Sequence, residues 1–234
     1  MQFSRRIILG VGAVAVAAGG YEAWRLLAPP AAEPPLPPGA APAPAIPPSR
    51  AASSDARMGD RFIGQANAPV VVHEFYSLTC PHCARFALDV LPQIKKDLVD
   101  TGKLRVVFRD FPLDQLALTA AAVARSLPPE RYEPFVLTLL ASQDRWAFAR
   151  GINNTEELFK RAALAGMSRE TFTGAINDST LKGAILTGQD ADTKAFNIDS
   201  TPTFIFNGPA LKNHREVGER SAQDFAGVVA KAIG

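Results

Sequence analysis

Residues 74–83 read Glu-Phe-Tyr-Ser-Leu-Thr-Cys-Pro-His-Cys and contain both cysteines of the chain, Cys80 and Cys83. The apolar run at residues 70–72 predicts a buried strand, and the apolar spacing after the cysteines predicts a helix that begins at Pro81. The first sulfur then lies at a helix N-terminus, where free backbone N–H groups and the helix dipole favour an anion. The spacing therefore predicts a stabilised Cys80 thiolate, which is the form of cysteine that attacks disulfides.

The two residues between the cysteines favour the same chemistry. Pro81 suits the first helical position, because the N–H that proline lacks has no helical partner there. His82 can donate a hydrogen bond or place a positive charge beside the Cys80 thiolate. We therefore include both residues in the predicted redox site.

Two other roles of a Cys-x-x-Cys (here CPHC) pair fit the sequence less well. A structural zinc site needs four ligands, and beyond the cysteines the chain offers only the histidines His73, His82 and His214. A purely structural disulfide between residues so close in sequence closes a very small loop and removes little entropy from the unfolded chain. We predict a redox pair and no metal site.

Glu74 interrupts the apolar strand six residues before Cys80. Carboxylates are rarely buried in a central strand unless they have a partner or a role. The functional interpretation is a proton acceptor for the buried second cysteine, Cys83, and the structural alternative is an ion pair with an arginine. We favour the functional interpretation.

Residues 1–27 predict a signal peptide or a membrane anchor. Arg5 and Arg6 precede an uncharged run of apolar and small residues at 7–18, and their surroundings match part of the twin-arginine export consensus. An ordinary signal peptide or an uncleaved anchor also fits. Residues 28–52 follow as a Pro/Ala-rich linker that holds ten of the 19 prolines, which predicts an extended spacer.

Residues 53–234 have the length and apolar content of one domain. Four of the 25 basic residues and two of the 23 acidic residues precede this segment, which leaves 21 of each within it. Such a balance provides no general attraction for nucleic acid, so no nucleic-acid partner is expected.

The remaining pattern alternates strand and helix signals. Residues 81–100 predict a long helix with a kink at Pro92, and residues 103–108 predict a second strand. From about residue 113 to 197 the sequence shows amphipathic helices and no strand signal. A helical insert is therefore expected between the second strand and the next one.

The Thr201-Pro202 pair opens that next strand. A proline at this position can be an ordinary strand start, or it can follow a cis peptide bond. A cis bond would leave the carbonyl and N–H of Thr201 free to pair with an incoming peptide beside Cys80. A short partner strand and a closing helix complete the predicted domain.

This order of features resembles the DsbA family of thioredoxin-fold thiol-disulfide oxidoreductases of the bacterial cell envelope. The residues that carry the resemblance are the Cys-Pro-His-Cys at 80–83, the acidic residue Glu74 and the Thr201-Pro202 pair, which matches the family's cis-proline pair. The resemblance implies an α/β, thioredoxin-like fold with a central mixed sheet and an inserted all-helical subdomain at about 113–197.

The resemblance also implies a function. It indicates an oxidoreductase that introduces disulfides into exported proteins by exchange through Cys80 and Cys83, with Thr201 and Pro202 in substrate binding and no cofactor. The implied partners are reduced or unfolded exported proteins and a DsbB-like, quinone-linked membrane protein that reoxidises the pair. The implied location is the periplasm. A monomer is expected, because the proline-rich tract occupies the place of an isomerase dimerisation domain.

Two alternatives stay open at this stage. Threonine before the cis-proline also occurs in isomerases and reductases, so an envelope reductase or isomerase is an alternative of the same class. An alternative of another class is a copper-binding protein that uses the two thiols. The three methionines and the lack of clustered ligands argue against copper delivery.

Overall fold

The computed structural model describes residues 54–234. The predicted export or anchor segment at 1–27 and the predicted linker at 28–52 lie outside the described residues. Within the described part of the chain, no helix is both long enough and apolar enough to cross a bilayer.

A mixed five-stranded sheet forms the centre of this domain. Its strands are β1 (Arg61–Ile63), β2 (Val70–Tyr76), β3 (Leu104–Asp110), β4 (Thr203–Asn207) and β5 (His214–Val217), in the spatial order β1-β3-β2-β4-β5. The central strand β2 runs parallel to β3 and antiparallel to β4, and all seven of its residues are buried. The central mixed sheet expected from the resemblance is therefore confirmed.

Two strand boundaries differ from the sequence expectation. β1 was not predicted, because three residues are too few to show an alternating pattern. β3 continues two residues further than predicted, through Arg109 and Asp110. Both side chains are buried, and each faces an opposite charge, Asp192 for the arginine and Arg125 for the aspartate. Pairing lets these charges enter the interior, so they do not end the strand.

The helix after the cysteines is continuous but changes its pitch. It consists of α1 (Pro81–Arg85), a π-helical turn (Phe86–Val90), α2 (Leu91–Ile94) and a second π-helical turn (Lys95–Val99). Proline within an α-helix lacks an N–H and its ring collides with the carbonyl four residues earlier. The wider turn before Pro92 relieves this conflict at the place where the sequence predicts a kink.

Helices fill the segment between β3 and β4. They are α3 (Gln115–Arg125), α4 (Pro129–Leu140), α5 (Gln143–Trp146), α6 (Asn154–Leu164), α7 (Arg169–Asn177) and α8 (Ser179–Phe196). Side chains of Asp114, Asn153, Ser168 and Asp178 cap α3, α6, α7 and α8 by accepting from first-turn N–H groups. The expected helical insert is present between β3 and β4.

An aromatic cluster fixes the active-site helix on the sheet. Phe86, from the helix that begins at Pro81, packs on Phe204 of β4 with ring centroids 4.7 Å apart. Phe225 of the closing helix α9 (Ala222–Ile233) packs against both rings, at 5.8 and 5.4 Å. The three side chains are buried, so the position of the cysteine-bearing helix relative to β4 is set by close packing.

Candidate active site

Cys80 lies at the end of the loop after β2 and forms the N-cap of α1. Its backbone is extended, and no side chain caps the first turn of the helix. The backbone N–H groups of His82 and Cys83 hydrogen-bond to the Cys80 sulfur and lower its pKa. The helix start predicted at Pro81 is confirmed, and it directs unpaired N–H groups at the first sulfur.

The two sulfurs have opposite acidities. The pKa of Cys80 falls from 9.0 to about 5, chiefly because the Cys83 thiol donates a hydrogen bond to its sulfur, while burial opposes the shift. The pKa of Cys83 lies well above its usual value, first because the residue is completely buried and then because it gives this hydrogen bond to Cys80. At neutral pH the free pair is therefore a thiolate at Cys80 and a thiol at Cys83.

The predicted cis peptide between Thr201 and Pro202 is confirmed. The Thr201 carbonyl oxygen lies 3.4 Å from the Cys80 sulfur, so the pair adjoins the sulfur as expected. The buried Thr201 hydroxyl forms no other hydrogen bond with a described residue, and its interaction with the sulfur lowers the pKa of Cys80. This contribution of the hydroxyl was not predicted from the sequence.

Glu74 is buried in β2, with 2% of its surface exposed. Burial raises the pKa of its carboxyl to about 8, and its Oε2 accepts no hydrogen bond from a described residue. The ion pair of the structural alternative is not found for Glu74 within residues 54–234. The charge of Glu74 contributes to the raised pKa of Cys83, so the two groups lie within electrostatic range of each other.

The His82 side chain points to the surface rather than into the pair of sulfurs. Its imidazole is 60% exposed, and the Nδ1 atom contacts the Glu219 carboxylate and the Arg85 guanidinium. The donor that His82 gives to Cys80 is its backbone N–H. Pro81 is exposed at the first helical position.

Two residues from the helical insert hold the loop that leads to Cys80, and neither was predicted. The buried Gln143 amide donates to the carbonyl oxygens of Leu78, at 2.8 Å, and Cys80, at 3.1 Å. Asp114 accepts from the Thr79 hydroxyl at 2.6 Å while it caps α3. The capping role of Asp114 has a local sequence signal, but Gln143 has none because its partners lie more than sixty residues earlier.

The possible metal ligands in the described part of the chain do not form clusters. Residues 54–234 contain no group of three or more His, Cys, Asp or Glu side chains arranged to hold a metal ion. The copper alternative would thus depend on Cys80 and Cys83 alone.

Comparison with known proteins agrees with this geometry. The family model described as thioredoxin matches residues 56–223. A crystal structure of Wolbachia pipientis alpha-DsbA1 superimposes with a TM-score of 0.68 at 30% identity, covering 74% of this chain and 90% of that one. The disulfide bond formation protein D of Bacillus subtilis is 26% identical over 173 residues, which is 69% of this chain and 73% of the relative.

A Rickettsia prowazekii relative, whose name describes a protein-disulfide oxidoreductase, is 30% identical over 157 residues. The match covers 66% of this chain but 57% of the relative, so the chain spans less than two thirds of the length of this relative. The residues matched by the family model include Cys80, Cys83 and the cis-proline Pro202. The chain therefore belongs to the DsbA family of thioredoxin-fold proteins.

Proposed function

We propose that this chain is a protein thiol:disulfide oxidoreductase that introduces disulfides into exported proteins through Cys80 and Cys83. The observation that carries the proposal is the opposite acidity of the two sulfurs, with the pKa of Cys80 near 5 and that of Cys83 well above its usual value. A thiol of low pKa leaves readily, and a stabilised reduced form makes the disulfide an oxidant.

The reaction begins with the Cys80–Cys83 disulfide. A substrate thiolate attacks the sulfur of Cys80, the bond between the two cysteines breaks, and its electron pair goes to Cys83, which takes up a proton. A second substrate thiolate then attacks the substrate sulfur of the mixed disulfide, and Cys80 leaves as a thiolate. Two electrons pass from substrate to protein, and the substrate leaves with a new disulfide.

Exposure favours attack on Cys80, which exposes 4% of its surface. Cys83 exposes none of its surface, whereas Cys80 borders the exposed residues Pro81 and His82. The Thr201 carbonyl next to the Cys80 sulfur supplies a backbone acceptor for a substrate peptide. Thr201 and Pro202 are accordingly the proposed substrate-binding pair.

Glu74 is the proposed proton acceptor for Cys83. When a partner reoxidises the pair, Cys83 must lose its proton before its sulfur can attack a mixed disulfide on Cys80. A carboxyl with a pKa of about 8 exchanges protons efficiently near neutral pH, because catalytic acids and bases act best when their pKa lies close to the working pH. The burial that raises this pKa also keeps the exchange apart from bulk water.

The proposed setting is the periplasm, where disulfides persist. Residues 1–27 would export or tether the domain, and a DsbB-like, quinone-linked membrane protein would accept its electrons. Substrates would be reduced or unfolded exported proteins, and the chain would act as a monomer. Fractionation of host cells tests the location: a wild-type protein found only in the cytosol would remove the compartment that this direction requires.

Trapping of substrates tests the exchange reaction. In Cys83→Ala the Cys80 thiolate can still attack a disulfide of an envelope protein, but no Cys83 sulfur remains to release that protein, so mixed disulfides should accumulate on non-reducing gels. The matched control is the double variant Cys80→Ser/Cys83→Ala, which lacks both sulfurs and should trap nothing. Absence of adducts with Cys83→Ala, in a folded and exported protein, would show that Cys80 does not exchange with protein disulfides.

The direction of transfer requires a separate measurement. Equilibration of the wild-type protein with glutathione buffers gives its reduction potential. An oxidase should be mostly reduced at equilibrium in buffers that leave an ordinary structural disulfide intact. A potential as low as that of thioredoxin would favour the reductase alternative.

A further inference from the structure

A cluster of charged side chains lies on the protein surface next to the cysteine pair, and it consists of His82, Arg85 and Glu219. One carboxylate oxygen of Glu219 accepts from Arg85 Nε at 2.9 Å and also contacts the His82 imidazole. The Arg85 Nη2 lies 2.7 Å from His82 Nδ1. Arg85 and His82 of the active-site helix therefore share one carboxylate, which lies 134 and 137 residues further along the chain.

The backbone beside Glu219 contacts the other half of the site. The N–H of Gly218 donates to the Pro202 carbonyl oxygen at 2.8 Å. Gly218 has a φ of 78°, a conformation that favours glycine and turns the chain out of β5. The backbone of the adjacent Gly218 therefore binds Glu219 to the cis-proline segment, and the Glu219 side chain binds the active-site helix through Arg85.

The cluster is within electrostatic range of the reacting sulfur. The charge of Cys80 contributes to the raised pKa of Arg85, after the hydrogen bond and the charge of Glu219. Arg85 therefore attracts the thiolate, and Glu219 offsets that attraction. In the disulfide form Cys80 carries no charge, so this balance acts on the reduced form alone.

We propose that Glu219 is a positioning residue that binds Arg85 and His82 of the active-site helix and so limits the positive charge of Arg85 acting on the Cys80 sulfur. This inference rests on the proposed function. It adds a residue from the loop after β5 to the groups that set the oxidising strength of the pair. The other charged or titratable groups involved are Cys83, Glu74, which acts on Cys83, and Asp89, which acts on Arg85.

The sign of the effect follows from the charges. Glu219→Gln keeps the shape and the hydrogen-bonding capacity but removes a negative charge, so the Cys80 thiolate should gain stability. The glutathione equilibrium should then move toward the reduced protein by about two- to fivefold at low salt, the range expected for partly exposed charges. Arg85→Gln should move it in the opposite direction, and the double variant should return close to the wild type.

The experiment measures the glutathione equilibrium of the wild type and these three variants at low salt and at about 1 M salt, where screening is strong. The matched control is Glu156→Gln, because Glu156 is an exposed carboxylate bound to an arginine, Arg169, in the helical insert. It should leave the equilibrium unchanged. Melting curves verify that every variant is folded.

The outcomes separate the inference from the proposed function. An equilibrium unchanged by Glu219→Gln, or a shift of equal size at both salt concentrations, would overturn the role of Glu219 while the oxidoreductase assignment stands. A wild-type protein that fails to equilibrate with glutathione would instead overturn the proposed function. The inference would be supported if Glu219→Gln and Arg85→Gln shift the glutathione equilibrium in opposite directions and both shifts become smaller at high salt.

Discussion

Reduction of the Cys80–Cys83 disulfide should stabilise the folded protein above neutral pH, although it removes a cross-link. Folding lowers the pKa of Cys80 from 9.0 to about 5. A group with a lowered pKa in the folded state adds stability that is complete above its unfolded pKa and is lost as the pH falls through the folded value. The thiolate therefore stabilises the reduced form increasingly between pH 5 and pH 9.

The size of this effect can be compared with that of the cross-link. At pH 8 the thiolate contributes at most about 4 kcal/mol, and screening by water near the protein surface lowers this bound. Closing a four-residue loop restrains the unfolded chain by about 2 kcal/mol. The reduced form should thus be more stable by about 1–2 kcal/mol at pH 8. At pH 4 the thiolate is protonated, and the oxidised form should be more stable by about 2 kcal/mol.

Urea unfolding of both forms, followed by circular dichroism at pH 4, 6 and 8, measures this difference directly. The raised pKa of Glu74 also lowers the stability of the reduced form as the pH rises above its ordinary value of 4.5, so the two forms are compared at the same pH in the wild type and in Glu74→Gln. The Cys80→Ser/Cys83→Ser variant should show no dependence on reductant. An oxidised form that is more stable at every pH would refute a strongly lowered Cys80 pKa and would favour the reductase alternative.

Two further predictions concern the neighbours of the sulfurs. Glu74→Gln should slow reoxidation of the pair by up to about 100-fold near neutral pH, because Cys83 loses its proton acceptor, while the Cys80 pKa should change little. Stopped-flow kinetics measures the rate, and an unchanged rate would leave Glu74 without a role in proton transfer. Thr201→Val keeps the side-chain shape but removes the hydroxyl, so the Cys80 pKa should rise. Thiolate absorbance as a function of pH measures that shift, and an unmoved titration would mean that the hydroxyl does not act on the sulfur.

The central part of the site could be predicted from the sequence because its signals are local. The strand, the turn and the helix start that place Cys80 lie within one short stretch, and the helix N-terminus acts on the sulfur through its own backbone. The cis peptide before Pro202 also has a local signal, since proline at the start of an interior strand needs a special conformation.

Other features depend on contacts that no local pattern reveals. Gln143 and Glu219 reach the site only after the helical insert and the β5 hairpin have folded back onto it. The extension of β3 was missed for a related reason. Arg109 and Asp110 look like the end of a strand until Asp192 of α8 and Arg125 of α3 supply their opposite charges.

The edges of the sheet have a consequence for the proposed reaction with unfolded chains. An exposed edge strand offers unpaired N–H and C=O groups, and another extended chain can pair with them and aggregate. β1 has only three residues, and β5 has four, of which His214, Arg215 and Glu216 are polar or charged. Short, charged edges disfavour such pairing. Under the proposed function, the domain would meet extended, aggregation-prone polypeptides at its sulfur without adding them to its own sheet.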